Sequence, residues 1–232
     1  MTGRRISGAG PIALVTIGVV AAFLYSNFLI DWVLSDFTGM GQIVSYLEAP
    51  GEPNAMLLRV TDVVCAVFVV TLLPWVRAGL RPGVWRELVV WGTVVFALGA
   101  AIAAFVPAPC GPGVLCDGAG QQLQTNIHDG SSIASDTALY AGVAAAWFAT
   151  RPTGPRWFHR VAWWVFWLGG VVASILFEFF NVTGDPSWAV GVSQRVHILF
   201  ISVWIVCLGV FAATQGTGTG TKRVNSSPSP TP

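Results

Sequence analysis

The chain has 232 residues, of which 54% are hydrophobic, 12% aromatic and only 10% charged, with a formal net charge of +1; its mean hydropathy is +0.67. Soluble domains carry about 25% charged residues, so this chain is too poor in charge to cover a globule with polar surface. That excludes an ordinary soluble enzyme, a disordered chain and a nucleic-acid binder with its basic field, and leaves a polytopic membrane protein.

Crossing roughly 30 Å of hydrocarbon takes about 20 predominantly apolar residues. Six stretches meet that need, at residues 11–33, 55–75, 87–106, 133–149, 161–180 and 196–213. The runs are continuously apolar rather than alternating, which excludes a barrel and predicts an all-α bundle of six transmembrane helices. The first span follows Arg4 and Arg5 and has no small-x-small cleavage site after it, so it is expected to be retained. In the second, Arg59, Asp62 and Cys65 are three residues apart and share a face, which predicts an Arg59–Asp62 pair. In the third, Gly99 and Ala103 are four apart, a spacing that permits close helix contact within or between chains.

The loop after the third span reads Cys110-Gly-Pro-Gly-Val-Leu-Cys116. On an oxidising face this short Gly/Pro loop is expected to close into a disulfide; metal ligation by the pair would need further ligands. The fourth span is the shortest, and Ser135 and Asp136 lie in it. Upstream, His128, Ser132, Asp136 and Tyr140 repeat every four residues and would form one polar stripe on an extended helix. Glu178 and Asn181 share a face of the fifth span, and Ser193 and His197 open the sixth beside Arg195. Residues 214–232 are mostly Gly, Thr, Ser and Pro and read as a disordered cytoplasmic tail behind a single transmembrane domain at 1–213.

Charge fixes the expected direction. Arg4, Arg5, Arg77, Arg81, Arg86, Arg151, Arg156, Arg160, Lys222 and Arg223 fall on alternate connections with one acid, Glu87, so that side carries +9. The other side holds Arg59, Arg195 and the ten remaining acids, a balance of −8. The positive-inside rule places both termini in the cytoplasm of a protein of the cytoplasmic (inner) membrane.

Ionisable groups within spans are costly and face the bundle interior with partners. Residues from four spans (Arg59, Asp62, His128, Ser132, Asp136, Glu178, Arg195 and His197) are placed at similar depth near the outer interface. One reading is purely structural, with Arg59–Asp62 and Arg195–Glu178 as ion pairs. A second is ligand binding, in which Arg59 and Arg195 grip a lipid phosphate and Asp62, Glu178 and His197 support them. A third is catalysis, with His128 as general base toward Ser132 or a water, or with zinc on Asp62, His128 and His197 and Asp136 as base.

Several stretches together carry a resemblance. They are Val44-Ser-Tyr-Leu-Glu-Ala-Pro-Gly-Glu-Pro-Asn-Ala55, Leu58-Arg-Val-Thr-Asp62, the Cys110…Cys116 pair, His128-Asp-Gly-Ser-Ser132 and Ser193-Gln-Arg-Val-His197. The chain resembles domain-of-unknown-function family 998, six-span bacterial membrane proteins common in actinobacteria and placed near the Frag/DRAM/Sfk group. The family's first-loop pattern has Ser-Glu-Leu where this chain has Ser45-Tyr46-Leu47, with Glu48 one place beyond. The resemblance implies a six-helix bundle with a polar site on its outer side and, through the Frag-type proteins, a role in lipid remodelling or organisation. Membrane hydrolases of the ceramidase type are a weaker likeness, since they have seven spans and a His-x-x-x-His pair.

The expectation taken forward is a membrane protein that binds or organises envelope lipids through an outer polar pocket. Membrane lipids are its partners, with a membrane-protein partner or a second copy as further possibilities, and no cofactor. The alternative is a zinc-dependent intramembrane lipid hydrolase using the same cluster.

Overall fold

The computed structural model describes residues 10–114, 116–151, 154–184 and 187–217. Arg4, Arg5, Asp185, Lys222, Arg223 and the tail from 218 lie outside them. All regular structure among the described residues is helical: α1 (Pro11–Tyr25), α2 (Phe28–Leu34), α3 (Val44–Leu47), α4 (Ala55–Gly79), α5 (Val84–Phe105), α6 (Ala119–Thr150), α7 (Arg156–Trp164), a π-helical segment (Val165–Ala173), α8 (Ser174–Thr183) and α9 (Ser187–Thr217). α7, the π segment and α8 follow one another without a break, and Gly184 at φ 67° closes α8 in the left-handed conformation that favours glycine. α9 continues through Thr217, so the start of the expected tail is helical.

The long helices close into a ring. α5 packs between α4 and α6, α4 between α1 and α5, and α1 between α4 and α9; α9 meets the α7–π–α8 segment, whose first part returns to α6. Small residues set the spacing. A Cβ on Gly18 of α1 would stand 2.9 Å from Gly209 Cα of α9. A Cβ on Gly92 of α5 would run into the Ala138 carbonyl of α6, and one on Gly99 would meet Ser131 O at 2.6 Å. The close contact expected at Gly99 is therefore made within the chain, and Ser135 seals it by donating to Phe96 O at 2.8 Å. Inside the ring, Phe158 stacks on Trp204 and Phe211 at centroid distances of 5.0 and 4.3 Å, with Leu72, Leu139 and Ile205 fully buried around them.

By length and composition, α4, α5, the Arg156–Thr183 segment and α9 suffice to cross a membrane, and α1 with α2 makes a fifth if a 57° bend is allowed. Two expectations thus change. The span at 11–33 is broken at Ser26 and Asn27. The short fourth span becomes the 32-residue α6, whose first half carries Gln121, Gln122, Gln124, Asn126, His128 and Asp129; that polarity keeps it off the count of apolar helices. The α4–α5 and α6–α7 connections gather Arg77, Arg81, Arg86, Arg151, Arg156 and Arg160 at one end of the bundle, with the described acids other than Glu87 toward the other. At the basic end Glu87 accepts from Arg77 at 3.0 Å in an exposed contact that contributes little and from the part-buried Arg86 at 2.7 Å.

Candidate functional site

At the acidic end the break between α1 and α2 keeps its backbone bonded locally, Leu29 N donating to Ser26 O and Ile30 N to Asn27 O, and turns two polar side chains toward neighbouring helices. Ser26 Oγ lies 2.8 Å from Ser202 Oγ on α9. Asn27, 1% exposed, directs its Nδ2 to Leu58 O (3.1 Å), Thr61 Oγ1 (3.2 Å) and Asp62 Oδ1 (2.8 Å) on α4. Asn54 donates to Asp31 Oδ1 at 2.8 Å, tying the start of α4 to α2. Glu48, at the end of α3 and 5% exposed, reaches into this nest. Burial pushes its carboxyl up to about 7, against the opposing pull of hydrogen bonding with Asp62 and Asn27 and of the Arg59 charge. Arg59 does not pair with Asp62 as expected. Its Nε donates to Ala104 O at the end of α5, at 2.6 Å.

A second nest joins α6, α8 and α9. His197 Nε2 lies 3.0 Å from Asp136 Oδ2, and its Nδ1 lies 3.2 Å from Ser174 Oγ. The carboxylate only accepts, so Nε2 carries the hydrogen, and Nδ1 shares the single Ser174 hydroxyl hydrogen with the Gly169 carbonyl, to which Ser174 Oγ donates at 3.3 Å. The His197 side chain is 8% exposed and that of Asp136 34%. Tyr140 packs edge-on against the imidazole at 5.3 Å, and its hydroxyl is buried without a partner among the described residues. Gly169 and Gly170 of the π segment lie flat on that ring: a Cβ on Gly169 would come within 2.8 Å of the Tyr140 hydroxyl.

The other candidates are spread apart. His128, 3% exposed, donates from Nδ1 to Val106 O (3.0 Å) and Ala103 O (3.2 Å), closing the carbonyl end of α5. Ser132 donates to the His128 backbone carbonyl at 3.0 Å rather than meeting its imidazole. Arg195, 4% exposed, gives its guanidinium to the carbonyls of Gln42 (2.6 Å), Gly191 (2.9 Å) and Gly39 (3.2 Å), clamping the loop before α3 onto α9. Glu178 is exposed on α8 and makes no ion pair among the described residues. The zinc set of Asp62, His128 and His197 does not assemble, each member having its own neighbours, and no group of three His, Cys, Asp or Glu is placed to hold a metal among the described residues. Cys110 and Cys116 form the expected disulfide, with Cα atoms 6.1 Å apart. It lines an outer pocket of about 530 Å³ with Tyr46, Asn126 and Asp129, separate from both nests.

Sequence reasoning missed Ser174 and Asn27, single polar residues inside apolar runs. Ser174 lies four residues before Glu178 and follows the Gly169-Gly170 pair, the one local signal that an unusual turn precedes it.

The family model described as "Protein of unknown function (DUF998)" matches residues 5–211. No curated protein and no solved structure matches the chain.

Proposed function

We propose, for a chain that belongs to the DUF998 family, a six-span protein of the cytoplasmic membrane, with both termini inside, that binds or organises envelope lipids at its acidic, extracytoplasmic end. The bent α1–α2 pair and α6 complete the six spans on this reading, and residues 1–213 act as one transmembrane unit. The observation that carries it is a part-exposed carboxylate beside exposed apolar side chains. Asp136 keeps 34% of its side chain exposed on a helix face it shares with Ile133, which is 67% exposed. The helix that brings Ser174 likewise exposes Ile175 (62%) and Phe179 (56%). A ligand that meets such a face has an apolar body and a polar head, which describes a lipid. Arg59, beside Glu48, is the cation available to a headgroup phosphate: its two terminal nitrogens have no hydrogen-bond acceptor among the described residues. Arg195 is spent on backbone and leaves this role.

Native mass spectrometry of detergent-washed protein tests the reading. Wild type is expected to retain a phosphate-bearing lipid at a fixed ratio, and Arg59→Gln to lose at least about fivefold of it while keeping its melting transition. Lipid-free wild type, or equal retention by a folded Arg59→Gln, overturns the proposal.

A further inference from the structure

The geometry points to Ser174 as a nucleophile and His197 as its general base, with Asp136 as positioning residue, in an acyl-transfer site for the carboxylic ester of a membrane lipid; this rests on the reading that the acidic end meets lipid. Three elements remote in sequence deliver one hydrogen-bonded line, Ser174 Oγ to His197 Nδ1 at 3.2 Å and His197 Nε2 to Asp136 Oδ2 at 3.0 Å. The roles are those of the serine–histidine–aspartate arrangement with the two ring nitrogens exchanged. Asp136 fixes the tautomer that leaves Nδ1 free to take a proton.

Three further observations separate this from a histidine that is merely satisfied. The π-helical segment Val165–Ala173 ends at the residue before Ser174, and Ser174 Oγ donates at 3.3 Å to the carbonyl of Gly169, five residues back, a long bond that is released when the proton passes to His197; such widened turns recur at functional sites. The Tyr140 hydroxyl, buried and unpartnered among the described residues, lies against the same glycine, an unspent donor that this assignment gives to the oxyanion. Ser174 is only half-buried. It opens the 10-residue α8, roughly 14 Å from that helix's far end, on an element that also exposes Ile175 and Phe179.

The chemistry balances without an added reagent. Ser174 Oγ attacks the ester carbonyl as its proton passes to His197 Nδ1, and the tetrahedral oxyanion takes a hydrogen bond from Tyr140. Collapse breaks the acyl C–O bond, and the imidazolium returns its proton to the departing alcohol. Water, or the hydroxyl of a second acceptor, then attacks the acyl-serine with His197 as base, freeing a fatty acid or a new ester and restoring Ser174.

Full-length protein in nanodiscs, treated with a fluorophosphonate probe, tests the assignment. Wild type is expected to be phosphonylated once, at Ser174, with fluoride released; Ser174→Ala removes the label. His197→Gln slows labelling by at least about 100-fold. Asp136→Asn slows it by about 10²–10⁴-fold, and Asp136→Glu recovers part of that loss, each variant melting as wild type does. A folded wild type that takes no label, a label that survives Ser174→Ala, or a folded His197→Gln that reacts at the wild-type rate overturns the nucleophile, whether or not lipid is retained. Labelled protein that keeps no lipid and releases no fatty acid from phosphatidylglycerol vesicles overturns the lipid ester as substrate and the reading beneath it.

Discussion

Glu48 shows how much a single side chain depends on what closes over it. In the sequence it is one acid among ten on its side, yet the fold buries it to 5% exposure and raises its carboxyl from 4.5 to about 7. An acid whose folded value is raised binds its proton more tightly when folded, so stability is highest below about pH 4.5 and falls as pH rises toward 7. The span corresponds to a loss on the order of 3 kcal/mol. Thermal unfolding in detergent across pH 4–8 is expected to show that decline in wild type and to lose most of it in Glu48→Gln, which keeps the shape without the charge; an unchanged slope in Glu48→Gln would refute the assignment. His128 carries the opposite lesson. Its residue type suggests chemistry, but its Nδ1 is held by the carbonyls of Val106 and Ala103, groups that any helix end leaves unsatisfied.

At the scale of elements, contact is set by where backbones come close. On α5, Gly92 faces the Ala138 carbonyl and Gly142 of α6 with no space for a side chain, whereas Gly130 of α6 has nothing within 4 Å of its missing Cβ. Gly92→Ala is therefore expected to cost about 1–3 kcal/mol, because a rigid carbonyl must move. Gly130→Ala is expected to be neutral or to gain up to about 1 kcal/mol from helix propensity. Melting temperatures of the two variants decide the matter, and equal shifts would remove the close α5–α6 approach. Long apolar runs revealed most of these helices before any coordinates, but not the break at Ser26–Asn27 or the π segment. Neither interrupts hydropathy: each is stabilised by groups from another helix, the Leu58 carbonyl and the Thr61 and Asp62 side chains in the first case and Tyr140 beneath Gly170 in the second.

For the whole molecule, charge asymmetry gives a direct test of the proposed direction. Asp36 and Arg81 are both exposed, at opposite ends. With Cys65 and Cys207 replaced by alanine, a membrane-impermeant maleimide on intact cells is expected to label Asp36→Cys and spare Arg81→Cys; the reverse pattern would invert the topology and move the polar nests to the cytoplasmic face.

What the amino-acid sequence determined by itself is what depends on totals and runs: membrane class, the positions of most apolar helices, the segregation of charge and the Cys110–Cys116 bridge, whose partners are six residues apart. The tertiary structure decided which polar groups meet. A helix that is apolar nearly all round carries little information about its rotation or its depth, so pairing across helices cannot be read along the chain. That is why Arg59–Asp62, neighbours on one helix, gave way to Arg59–Ala104, and why Asp136, Ser174 and His197, drawn from three helices, came together.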